Sequence, residues 1–176
     1  MEKALGRTLF AALALTVGMG LHAADKKGDG KLSGNDRHFI TTAAEDGLAE
    51  VELGKIAQQN GSSAAVKQFG QRMVDDHTKA GKELEAIATK LGVTPPKEPG
   101  SKHQGDIKKF SKLTGDKFDR EYAEHMVKDH EKAVSLFEKE AKSGDAAELK
   151  AFASKTLPTL QEHLKMARAL NTDKKK

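Results

Sequence analysis

The sequence predicts an all-α fold: a ferritin-like antiparallel four-helix bundle built from two helical hairpins with a long middle connection. Three observations carry this. Apolar residues recur at three- and four-residue steps through four long segments. Helix-breaking residues gather in one stretch, 92–115, which holds Pro95, Pro96, Pro99, Gly100 and Gly105. Finally, residues 51–69 (VELGKIAQQNGSSAAVKQF) and 134–152 (VSLFEKEAKSGDAAELKAF) align at an offset of 83 and share six of 19 residues. One helix–turn–helix unit used twice, with a long link between copies, gives the bundle.

The elements follow in order. Residues 1–24 pair a basic start, Lys3 and Arg7, with the uncharged run Leu9–Leu21 and the small residues Ala23 and Ala24. This is the pattern of a cleaved signal peptide, too short for a membrane span, and it predicts a periplasmic protein with no span after cleavage. Residues 25–35, rich in Gly and Lys, read as a flexible lead. Residues 36–170 form the bundle and 171–176 a basic tail. The first helix, 36–60, carries Ile40, Ala43, Gly47, Val51, Gly54 and Ala57, and stops at Asn60-Gly61. Ser62 is placed to cap the second, 62–91, whose stripe is Val66, Phe69, Met73, Ala80, Leu84, Ile87 and Leu91; Gly92 ends it. The link allows a short helix at 106–113. Asp116 opens the third long helix, 116–142, with Phe118, Tyr122, Met126, Ala133 and Phe137 on its stripe. The fourth, 146–170, carries Leu149, Phe152, Thr156, Leu160, Ala167 and Leu170, with Pro158 positioned to kink it.

Composition excludes several chemistries. The chain of 176 residues has no Cys, so it has no disulfide, thiolate metal site or cysteine nucleophile. Aromatic residues are 5%, too few for a stacking platform. The net charge of +4 comes from interleaved basic and acidic residues without a basic stripe, so nucleic acid is not a partner. The protein partner is unspecified, and a homo-oligomer is compatible with the sequence.

The core stripes are interrupted by histidines. His77 continues the stripe 73, 77, 80, 84; His130 continues 122, 126, 130, 133, 137; His163 continues 156, 160, 163, 167, 170. Glu50 lies on the stripe of the first helix, with Glu45 and Asp46 near the same depth. A rise of about 1.5 Å per residue puts the four groups within roughly 10 Å of one height. Three imidazoles and a carboxylate meeting in a bundle core could hold zinc, copper, iron or manganese, with Asp75, Asp76, Asp129 and Tyr122 available to orient the rings. The alternative is a structural or stress-related envelope protein whose core histidines only satisfy buried polar contacts. Paired Glu-x-x-His motifs are absent, since Val74, Val127 and Leu160 stand three residues before the histidines, which disfavours dinuclear oxygen chemistry and an enzymatic role. His125 reads as a surface residue beside the stripe, His38 and His103 as solvated, and Met73, Met126 and Met166 as packing residues rather than copper ligands. Residues 25–36 have part of an EF-hand calcium loop, with Asp25, Asp29, Gly30 and Asp36 in register, but Lys27 stands where a ligand oxygen is needed.

The stretches HFITTAAEDGLAEVELGKIA, VKQFGQRMVDDHTKA, FDREYAEHMVKDHEKA and FASKTLPTLQEHLKMA resemble an exported bacterial ferritin-like family of unknown function, often labelled "predicted outer membrane protein". The resemblance spans residues 36–170 and implies an exported four-helix bundle without implying an activity. Glu50, His77, Asp119, Tyr122, His130 and His163 match its characteristic motifs. Nothing in the chain reads as a set of barrel strands.

Overall fold

A computed structural model describes residues 32–173. The expected signal segment, residues 25–31 of the Gly/Lys lead and the last three lysines lie outside the described residues, as do most positions of the EF-hand-like loop. The described chain is all-helical: α1 is Gly34–Asn60, α2 Ala64–Lys90, α3 Ser101–Phe110, α4 Gly115–Ser143 and α5 Ala147–Asp173. The most extensive helix contacts are α1 with α2 and α4 with α5; α1 also meets α4 and α3, and α2 meets α5. The short helix of the link starts five residues before the predicted one and ends three earlier. Gly100 opens it, with the Gln104 side-chain amide donating to the Pro99 carbonyl. Leu91 and Gly92 close α2: Gly92 takes a φ of +74°, and Val93 N–H reaches back to the Ala88 carbonyl at 2.8 Å, a glycine-dependent helix stop.

Two buried aspartates tie the helix pairs together. The Asp119 carboxylate, on α4, accepts from Ser62 and Ser63 N–H at 2.9 and 3.0 Å and from the Ser62 hydroxyl at 2.9 Å. The Asp36 carboxylate, on α1, accepts from Asp145 and Ala146 N–H at 3.1 and 3.0 Å. Donors and acceptors of the two sets stand 83 positions apart, the offset of the sequence repeat. Each first helix therefore holds the turn of the other pair, meeting N–H groups that a helix start leaves without partners. These bonds correct three sequence expectations. The cap of α2 is Ser63, whose hydroxyl accepts from Val66 N–H at 3.2 Å, because Ser62 is engaged with Asp116 and Asp119. The N-cap of α4 is Thr114, not Asp116. Asp36, the twelfth position of the EF-hand-like loop, is committed to helix capping and is 1% exposed.

Gly61 ends α1 in an extended conformation, not the left-handed one expected of a helix-stopping glycine. Close approach explains it: a Cβ there would stand 2.7 Å from the Ala57 carbonyl and 3.3 Å from Asp119 Oδ1. α5 stays helical through Pro158. Ser154 and Pro158 are exposed, so water can take the carbonyl that proline leaves without its donor.

The core divides along the bundle. One apolar cluster joins Phe39, Ile40, Leu84, Phe137, Leu149 and Phe152; the other joins Leu53, Val66, Phe69, Met73, Tyr122 and Met126. Burial of each such side chain contributes about 1.5–3 kcal/mol. Between the clusters, at the middle of the helices, lies a polar layer: Glu50, His77, His130 and His163, all buried.

Candidate metal centre

α2, α4 and α5 each turn one imidazole into this layer. Ring centroids are 5.9 Å apart for His77 and His130, 5.3 Å for His77 and His163, and 5.4 Å for His130 and His163. One ring nitrogen of each lies within 4.8 Å of one from each of the other two. Nitrogens bound at about 2.0–2.1 Å to a single ion stand about 3.3–3.6 Å apart, so the set would have to contract by up to about 1.2–1.5 Å to close on one ion.

The partners on the far side of each ring assign its tautomer. His130 Nδ1 lies 3.0 Å from the Met126 carbonyl, which can only accept, so Nδ1 carries the hydrogen. His163 Nε2 lies 2.8 Å from Asp76 Oδ2. Burial raises the Asp76 carboxyl, but the His163 hydrogen bond and Arg72 together bring it below its ordinary value. Asp76 is therefore an acceptor, and His163 Nε2 donates. His77 Nδ1 stands 3.1 Å from Glu50 Oε2 and donates to it when Glu50 is ionised. The nitrogens left over are His77 Nε2, His130 Nε2 and His163 Nδ1. All three are buried without a hydrogen-bond partner.

Burial keeps the rings neutral. It pushes His77 and His163 down to about 4 and lowers His130 as well. Burial also lifts Glu50 to about 7, against the attraction of His77. Glu50 Oε1 faces His130 Nε2 at 3.5 Å. With Glu50 ionised, that places an acceptor opposite a lone pair, an arrangement that a proton or a cation between them would relieve. Glu50 is not among the mutually close donors, and its firmer role is as the acceptor that orients His77.

Of the predicted orienting residues, Asp76 has that role. Asp75 accepts from the Gln71 amide at 2.8 Å instead. Asp129 pairs with His125 at 2.9 Å and Lys132 at 3.0 Å. Tyr122 stacks on Phe118, and its buried hydroxyl finds no hydrogen-bond partner among the described residues. His103 is not solvated: it packs on α1 with Nε2 2.8 Å from Asp46, whose hydrogen bond raises its pKa. His125 is likewise half-buried, against Phe110, whereas His38 is exposed. Sequence reasoning missed Met126 as an orienting group, because a backbone carbonyl leaves no residue-type signal. It also missed Glu140, a buried acid beside Asp36 that burial and Asp36 together lift to about 7.

An all-helical bundle with a buried cluster of three neutral imidazoles is the class of protein that fold and site define. The chain belongs to the DUF4142 family, a domain of unknown function whose model matches residues 21–170. No curated protein matches it. Among solved structures, a DUF305 fragment from Deinococcus radiodurans is similar with a TM-score of 0.71 at 12% identity, over 82% of this chain and 99% of that one. A DUF305 protein from Streptomyces coelicolor gives 0.67 at 12% identity, over 80% and 93%. CopM in its Cu(I)-bound form gives 0.66 at 14% identity, over 78% and 96%. These likenesses establish the fold. No helix among the described residues is long and apolar enough to cross a membrane.

Proposed function

We propose that this is an exported, periplasmic binding protein with a ferritin-like two-hairpin bundle, holding one divalent transition-metal ion in its core. His77, His130 and His163 are the ligands, and Glu50 orients His77 or completes the set. The observation that carries the reading is the trio of buried, unpartnered ring nitrogens, each opposite a nitrogen held by an acceptor. An acceptor behind a metal-bound imidazole fixes its tautomer and raises its basicity. Three nitrogens favour zinc, copper or iron over manganese, which prefers oxygen. The solved CopM structures with Cu(I) and Cu(II) make copper the first ion to try.

The structural alternative draws on Glu50. Protonated, it could donate to His130 Nε2 and satisfy that pair. His77 Nε2 and His163 Nδ1 would still need buried water, or each would cost about 1–3 kcal/mol. Elemental analysis of untagged protein separates the readings. The metal reading expects one ion per chain and a melting temperature that rises with added metal. Both should vanish in His77→Leu. Metal-free protein with an unmoved melting temperature would leave only the structural reading.

A further inference from the structure

The described residues hold three methionines, and every one stands one helical turn from a triad histidine. Met73 precedes His77 by four residues, Met126 precedes His130 by four, and Met166 follows His163 by three. The helix directions put all three on the same side of the rings. α2 and α4 both start at the end where Asp119 holds Ser62 and Ser63, and α5 starts at the opposite end, where Asp36 holds Ala146. A step back along α2 or α4 and a step forward along α5 therefore descend toward the same end, by about 4.5–6 Å. Met73 and Met126 are fully buried in one apolar cluster, and Met166 packs against it. Phe69, in that cluster, reaches ring distances of 6.3 and 6.4 Å from His130 and His163, so the cluster directly adjoins the imidazoles.

We propose that Met73, Met126 and Met166 form a second, soft site for a monovalent d10 cation, Cu(I) or Ag(I), one turn beneath the imidazole layer. Thioethers are neutral, polarisable donors that favour Cu(I) over harder divalent ions, and a dry apolar cluster removes competing water. The imidazoles above would favour the divalent ion. The site goes beyond the imidazole reading and does not require it, since its donors are different atoms.

The test uses full-length untagged protein with 13Cε-methyl methionine, titrated with Ag(I). The Cε signals of Met73, Met126 and Met166 should shift together and saturate at one equivalent. Zn(II) should leave them nearly unmoved. Met73→Leu/Met126→Leu/Met166→Leu should lose Ag(I) affinity by more than about tenfold while holding Zn(II) as the parent does. Methionine signals that stay still with Ag(I), or an unchanged Ag(I) affinity in the triple variant, would overturn the site. Because the methyl readout is taken on the parent protein, the test survives a triple variant that fails to fold. Loss of Zn(II) in His77→Leu with Ag(I) retained would separate the two sites; loss of Ag(I) in His77→Leu with silent methionine signals would assign silver to the rings and sink the proposal.

Discussion

The two halves of the bundle share a plan but not a chemistry. Moving each polar core residue by the repeat offset of 83 turns Glu50 into Ala133, His77 into Leu160, His130 into Gly47 and His163 into Ala80. The reciprocal aspartate caps survive this shift, and so does the aromatic pair Phe39 and Tyr122. In one half the mid-core is filled by three rings and a carboxyl. At the equivalent positions Gly47, Ala80, Ala133 and Leu160 line a cleft of about 370 Å³ that is bounded by Phe137 and Phe152 and reaches Glu50, His77 and His163. The lesson is that the fold needs the caps and the apolar clusters but not the imidazoles. The equivalent positions carry only apolar residues, Gly47, Ala80, Ala133 and Leu160, so the buried polar layer is an addition to the scaffold.

The largest expected effect sharpens the symmetric part of the comparison. Asp119→Ala and Asp36→Ala should each destabilise by about 2–4 kcal/mol in urea unfolding, since each strands two backbone N–H groups at a helix start. Markedly unequal losses would break the equivalence of the two caps.

The next effect belongs to the histidine half alone. His77 and His163 titrate near 4 in the folded protein, below the ordinary 6.5. The unfolded chain therefore takes up protons first, and stability present above pH 6.5 is lost as pH falls toward 4. The loss should be roughly 2–3 kcal/mol per ring in metal-free protein, measured by urea unfolding across that range. The same neutrality spares the rings proton competition, so bound metal should persist into mildly acid solution. A smaller effect exchanges the halves. Leu160→His should cost about 1–3 kcal/mol, because it puts a polar ring into the apolar cluster of Phe39, Phe137 and Phe152. His77→Leu in metal-free protein should cost a similar amount at pH 8, because it leaves the buried Glu50 carboxyl without its donor.

Glu140 adds a second asymmetry, since its equivalent is Ala57. Its carboxyl lies against Gly144, where any Cβ would collide with it. With its pKa at about 7, above the unfolded 4.5, its contribution is full below pH 4.5 and lost as pH rises through 7. Glu140→Gln should therefore leave stability nearly unchanged at pH 5 and gain roughly 1–3 kcal/mol over the parent at pH 8.

What was legible in the sequence follows from periodicity. Four long helices and the break between the pairs can be read from apolar steps and from prolines, because both act locally. The inward aim of His77, His130 and His163 was also legible, since each sits in register with a buried stripe. Less visible were the caps. Ser62 and Asp116 carry ordinary capping chemistry, but tertiary partners took them, and only the 83-residue match of Asp36 with Asp119 hinted at this. His103 read as solvated because its partner, Asp46, is supplied by another helix. The tautomers were out of reach altogether: they depend on a backbone carbonyl and on carboxylates whose distances no residue pattern encodes.

The central claim is that three neutral rings point lone pairs at one another. Long-range 1H–15N correlation spectra of the metal-free protein at neutral pH test it directly. The account predicts Nδ1–H tautomers for His77 and His130 and the Nε2–H tautomer for His163, with zinc shifting the three unprotonated nitrogens together. Rings that are doubly protonated, or unprotonated nitrogens that ignore the metal, would contradict it.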